Sequence, residues 1–440
     1  MLRTTLLAAA LSAAFPAFAQ SELDTLRAEL NDLKTSYEAR IAALEARIRE
    51  AAAQPAAPGD TARTADGFNP QISLILQGRY AHLGDPEHRG IAGFLPAGHA
   101  HGTPRGFSLD HTELAISASV DPYFDGYLNL ALADEEVDVE EAWFRTTALG
   151  HGLTVKGGRF LSALGYQNER HPHAWDFADN TLMYRALFGE AYAHDGVQVK
   201  WVAPTERFAE FGAEAGRGAA FPGTDRNRNG AGAYSLFAHT GGDLGASHSW
   251  RAGLSRLYTR AEARAGEVED LTDTEAMTFF SGRSRTWIAD FVWKWAPDGN
   301  AYERNFSFAT EYFRRDERGD LTCADNSAAG GACGDSTDAY RARQSGYYAQ
   351  AVYQFMPRWR TGYRYDRLDP GHVELGANEA FLPLSTHRPT RHTLMVDYSP
   401  SEFSRLRLQY AKDRSMENQD ENQWIVQYIH SLGPHGAHRF

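Results

Sequence analysis

From Phe68 onward, apolar and aromatic residues return at every second position, in segments of about ten residues separated by turn chemistry. In TWIADFVWKWAP, Trp287, Ala289, Phe291, Trp293 and Trp295 share one face, while Ile288, Asp290, Val292 and Lys294 share the other. RWRTGYRYDR sets Trp359, Thr361, Tyr363 and Tyr365 against Arg360, Gly362, Arg364 and Asp366. SRLRLQYA and NQWIVQYIH repeat the pattern. One face is too polar for a packed interior and the other too greasy for water. A sandwich or a membrane barrel accommodates such strands, and the connections decide between them. Tight joints at DPYFDG, TALGHG, APTERF, TGGDLGAS, APDGN, FMPRW and SPSEFS alternate with long polar joints at 83–105, 161–193, 218–230, 261–283, 316–345 and 368–390. Short periplasmic turns and long outer loops alternate in this way in transmembrane barrels. The expected fold is all-β: an antiparallel transmembrane β-barrel of about sixteen strands between residues 68 and 440, preceded by an α-helical coiled coil.

That coiled coil is read from Leu23, Leu26, Leu30, Leu33, Tyr37, Ile41, Leu44 and Ile48, spaced by threes and fours within 20–52. Residues 53–67 form a Pro/Ala-rich linker, so the helix reads as a periplasmic stalk. Residues 1–19 carry one Arg, an apolar run and Ala17-Phe18-Ala19, the pattern of a cleaved secretory signal. Export makes Cys323 and Cys333, ten residues apart in a Gly-rich segment, an expected disulfide. The formal charge of −13 argues against nucleic acid as a partner. No Gly-x-Ser-x-Gly elbow or Ser/His/Asp grouping points to an enzyme.

The chain resembles a family of proteobacterial outer-membrane proteins distantly similar to phosphate-selective and general trimeric porins. The resemblance rests on FNPQISLIL (68–76), GRFLSALGYQNERHPHAWDFAD (158–179) and AHDGVQVKWVAP (193–204). It implies a homotrimer in outer-membrane lipid that passes small hydrophilic solutes. Outer-membrane barrels commonly end in an aromatic residue, and the resemblance implies that barrel assembly machinery would read Phe440. Some relatives carry the label of a zinc-regulated or TonB-dependent receptor. A receptor of that kind has 22 strands and a folded plug, which this chain has no room for.

In sixteen-stranded porins the third outer loop folds into the lumen, so the resemblance makes 161–193 the candidate constriction. Its charges, Glu169, Arg170, Asp176, Asp179 and Arg185, would set a transverse field there. Arg79, Lys156, Lys200, Arg251, Lys294, Arg360, Arg364, Arg405 and Arg407 all fall on the face assigned to the lumen, because a cation facing lipid at mid-depth costs about 2–4 kcal/mol. Those cations lean the pore toward anions. No resident cofactor is expected. An alternative reading makes the protein a zinc-binding uptake protein, with His171, His173 and Asp176 as ligands. A second alternative is an envelope tether whose barrel is closed. At neutral pH, unperturbed loop imidazoles would be mostly uncharged.

Overall fold

The computed structural model describes residues 70–433 except 85–89, 96–103, 120 and 134–135. The expected signal peptide, coiled coil, linker and Phe440 lie outside the described residues, as do His88, His99 and His101.

The strands are β1 (Gln71–His82), β2 (Gly106–Leu109), β3 (Thr112–Ser119), β4 (Phe124–Ala133), β5 (Glu136–Thr146), β6 (Leu153–Leu161), β7 (Ala193–Val202), β8 (Phe208–Gly216) and β9 (Ala233–Leu244). They continue as β10 (His248–Glu269), β11 (Glu275–Trp295), β12 (Asn305–Cys323), β13 (Ser336–Met356), β14 (Trp359–Glu374), β15 (Thr390–Ser401), β16 (Ser404–Arg414) and β17 (Glu421–Leu432). β2 and β3 both pair with β1 and are interrupted only at Asp110-His111, so together they occupy one wall position. Every strand pairs antiparallel with its chain neighbour, and β1 pairs with β17 through Leu74–Leu432 to His82–Trp424. The result is a closed barrel of sixteen strands. Closure leaves no unpaired edge, which is what a strand in hydrocarbon requires.

The alternation divides as the wall needs. Along β16, Leu406 and Leu408 are exposed outward, whereas Arg407 and Gln409 are buried inward. The seven tight joints all stand at one end of the barrel, between β3 and β4, β5 and β6, β7 and β8, and so on round to β15 and β16.

Strand lengths depart from expectation on one side. β10 to β14 run for 22, 21, 19, 21 and 16 residues, so the expected long joints at 261–283 and 316–345 are largely strand. The cause is that their polar residues remain in alternation: Arg264, Glu317 and Arg315 turn inward and pair with each other, with Arg264 to Glu317 at 2.7 Å. These hairpins therefore continue as a sheet beyond the length of the flanking β9 and β15. Cys323 and Cys333 form a disulfide beside this raised wall and pack with Phe280, Leu321, Tyr340, Leu375 and Leu382.

Candidate functional site

The connection between β6 and β7 does not stand outside the barrel. It folds into it as an extended run, a short turn at Pro172–Ala174 and one α-helix, α1 (Leu182–Phe188), capped by Gly189 at φ 62°. Leu182, Met183, Tyr184, Leu187 and Phe188 are buried against Leu257, Ile288, Phe313, Tyr348 and Leu368 of the wall. An apolar stripe on the inner face of β10–β14 is thus explained by a loop that covers it.

Buried wall acids hold the loop's backbone. Glu214 accepts from Ser162 Oγ and from Ala163 N at 3.0 Å. Glu311 accepts from Tyr166 N at 2.8 Å, Tyr348 Oη at 2.7 Å and Tyr184 Oη at 3.1 Å. Asp366 accepts from Leu182 N at 3.1 Å, the first residue of α1. Gly165 sits at φ 68° directly against Glu311 and Tyr184, where a Cβ has no space. A carboxylate accepting from backbone N–H groups makes a strong, charge-assisted bond where water is excluded.

The five loop charges do not act as one set. Asp176 meets Arg360 Nη1 at 3.1 Å and Arg170 Nη1 at 3.8 Å. Burial would raise its carboxyl, but Arg360 and then Arg170 outweigh that and hold it below the usual carboxylate range. Asp179 lies between Arg364 at 2.8 Å and Arg391 at 2.5 Å, and Arg364 also donates to the carbonyls of Asp179 and Asn180. It fastens the loop to β14 and β15. Arg170 stacks on Tyr166 at 4.9 Å, and Arg185 turns to Glu190 at 3.6 Å. Glu169 lines a cavity of 510 Å³ together with Arg170, His171, His173, Asp176, Lys294, Arg360 and Arg405.

The wall cations also divide. Arg251 donates to Gly165 O at 3.0 Å, and Arg407 to Trp175 O at 2.8 Å, so both hold the loop. Arg364 does the same. Arg360 and Arg405 gather around Asp397, at 2.6 Å and 4.0 Å. Lys294 lines the cavity. Away from the cavity, Arg79 pairs with Asp110 at 2.9 Å, Lys200 with Glu210 at 3.2 Å, and Lys156 lies over the Trp143 ring at 4.9 Å.

The histidines find partners other than the expected one. Asp176 is taken by arginines, so the set His171, His173 and Asp176 is not assembled as a metal centre. The two imidazoles instead stack, with centroids 5.9 Å apart, and face β3 and β5. His173 Nδ1 lies 2.7 Å from Glu113, and His171 lies 3.2 Å from Glu140 and 3.0 Å from Glu141. His111 completes the cluster at 2.8 Å from Glu140. His111, Glu113 and Glu140 offer ligand atoms all within 4.8 Å of one another, a spacing that one divalent cation could bridge. Burial would lower His171, but its bonds to Glu140 and Glu141 outweigh that and hold the imidazole well above its ordinary value. His171 is therefore not the unperturbed loop imidazole expected from the sequence.

Sequence reading did not single out Glu140, Glu141, Glu214, Asp366 or Arg391. A signal existed for the first two: consecutive acids in EVDVEEAW break the alternation, and the β4–β5 register shifts at Asn129/Leu130, leaving Glu140 as the extra residue. Inside a barrel whose lumen is expected to be polar, nothing distinguishes an acid that holds a loop from one that lines water.

No family model matches the chain. Among solved structures, it is similar to OmpT, an outer membrane protein of Vibrio cholerae, in a loop L8 deletion mutant, with a TM-score of 0.52 and 13% identity over 83% of this chain and 100% of that one. The in-vitro folded trimer form of the same protein gives 0.51 and 11% identity, again over 83% and 100%. These likenesses are of fold alone, a closed antiparallel barrel of the kind the sixteen strands form. In sequence, an "Uncharacterized protein" of Aquifex aeolicus (strain VF5) is 31% identical over 406 residues, which cover 85% of this chain and 80% of that protein. The chain belongs to the same family as this Aquifex protein.

Proposed function

We propose that this protein is a passive channel for small hydrophilic solutes across the outer membrane, with 161–193 as its constriction and a lean toward anions. The observation that carries the reading is the loop itself. It is fixed inside the barrel by Glu214, Glu311, Asp366 and Asp179, and the cavity left beside it is lined by Arg170, Lys294, Arg360 and Arg405. A solute that passes meets guanidinium and ammonium groups together with Glu169 and the His171–His173 pair. In a narrow, partly desolvated passage these charges are incompletely screened, so they sort solutes by charge. The chain forms a trimer in this reading, helped by the stalk expected at 20–52 and by the outward aromatic residues of β2 and β5, where Phe107 and Phe144 are 88% and 52% exposed. Purified protein in planar bilayers, under a salt gradient, tests it: stepwise conductance with an anion-selective reversal potential is expected. A barrel closed at every voltage would favour the tether instead.

A second reading has its own observation. The His111, Glu113 and Glu140 spacing, with His171 and His173 against the same carboxylates, fits a divalent cation such as Zn²⁺ held beside the passage. Metal binding there would displace protons from the imidazoles, so it would weaken as pH falls.

A further inference from the structure

The outward face of the raised wall carries a feature the channel does not use. Arg260 on β10 is paired in register with Arg283 on β11, Arg283 with Arg318 on β12, and Arg318 with Arg341 on β13. Four arginines thus occupy directly opposed positions on four consecutive strands, whose backbones run about 4.8 Å apart. Arg285, opposite Tyr258, adds a fifth one step below. All five are exposed.

Like charges directly opposite one another destabilise a sheet, and neighbouring acids do not resolve this row. Glu262 is turned to Arg228, at 3.0 Å, and Asp316 to Arg343, at 3.0 Å. Glu374 takes Arg341, at 3.5 Å. Among the described residues, Arg260, Arg283, Arg285 and Arg318 have no carboxylate partner. Three of them, with Tyr234 and Tyr258, line one recess on the outer surface of the barrel.

The height of the row says what meets it. Trp250, Trp293 and Phe308 are also paired in register and mark the lower aromatic girdle. Arg260, Arg283 and Arg318 each lie ten residues further along the same three strands. Ten residues at roughly 3.3 Å, on strands tilted about 40°, rise about 25 Å, which is the height of the apolar band of an outer-membrane barrel. Between the two rows the outward residues include Leu254, Tyr258, Trp287, Phe291 and Tyr312. Of the charges that fall among them, Arg256 lies 4.4 Å over both Tyr258 and Trp287, and Arg314 pairs with Asp316 at 3.7 Å. The arginine row therefore stands where acyl chains end and headgroups begin, at the end of the barrel bearing the long connections.

We propose that Arg260, Arg283, Arg285, Arg318 and Arg341 form a docking surface for the phosphates of a bisphosphorylated outer-leaflet glycolipid, its acyl chains lying along the aromatic wall below. Guanidinium forks bind phosphate oxygens bidentately, and a row of them spans two phosphates borne on one headgroup. The test uses the full-length protein in detergent with fluorescent bisphosphorylated lipid A as the probe, its dephosphorylated form, and inorganic phosphate as competitor. The wild type is expected to bind the phosphorylated lipid at least tenfold more tightly than the dephosphorylated one, with millimolar phosphate displacing little of it. The triple variant Arg260→Gln, Arg283→Gln, Arg318→Gln is expected to lose that preference while keeping the heat-modifiable migration of a folded barrel. Arg283→Gln alone, which leaves most of the row intact, is expected to lose about threefold. Equal binding of the two lipids by the wild type, an undiminished preference in the folded variants, or full displacement by inorganic phosphate would each overturn the proposal.

Discussion

Asp179 of the inserted loop and Arg364 of β14 meet at 2.8 Å, and the same guanidinium donates to the backbone carbonyls of Asp179 and Asn180. One wall residue thus holds both side chain and main chain of the segment leading into α1. Removing one partner of such a buried pair leaves a charge without compensation, at a cost of about 3–5 kcal/mol. Asp179→Asn is expected to loosen the loop, with higher single-channel conductance and faster proteolysis within 161–193. Unchanged values on both measurements would show that Asp179 does not anchor it.

The same carboxylate gives the loop a pH dependence of definite sign. Burial opposes ionisation, but Arg391 and Arg364 outweigh it and hold Asp179 well below the usual range. A depressed folded value means that its contribution is fully present above the unfolded value of about 3.9 and is lost as pH falls through the folded one. The loop is expected to resist protease at about pH 5 and to loosen only in stronger acid, and Asp179→Asn should remove that acid step. Loosening of the wild type already near pH 6 would contradict the assignment.

Gly165 is the point at which the loop turns beneath Glu311. Its φ of 68° costs an L-residue roughly 1–2 kcal/mol, and a Cβ would press on both Glu311 and Tyr184. Gly165→Ala is expected to displace the start of the loop while the barrel still folds. Altered conductance with normal heat-modifiable migration is the expected result; migration as an unfolded chain would place the glycine's role in folding of the wall.

Zinc distinguishes the two readings of the histidine cluster. If His111, Glu113 and Glu140 hold a cation, micromolar Zn²⁺ should reduce the current, and His111→Ala should abolish that block. Asp176→Asn should leave the block intact, because Asp176 pairs with Arg360 and Arg170. No effect of zinc on the wild type would leave the cluster as a set of His–Glu ion pairs.

Much of the barrel was legible in the sequence because lipid imposes a strict period of two. Trp287, Phe291 and Trp293 alternate with inward residues along one strand, and the seven tight joints, all at one end, choose the barrel over a sandwich. The raised hairpins were less legible, since Arg264 and Glu317 look like loop residues until they are seen to neutralise each other inside the wall. Within the loop, sequence gave the charges without their partners. Nothing local distinguishes Asp176, beside a cavity, from Asp179, locked between Arg364 and Arg391, because those arginines lie some two hundred residues away. His171 likewise owes its raised pKa to Glu140, Glu141 and Glu113, which lie on other strands.

The claim that 161–193 forms the constriction of a water-filled pore is tested most directly by reversal potential in planar bilayers, wild type against Asp176→Asn. Stepwise wild-type conductance is expected, with a shift toward anions in the variant, since a fixed negative charge leaves a passage where screening is incomplete. Absence of conductance steps, or an identical reversal potential in the two proteins, would contradict it.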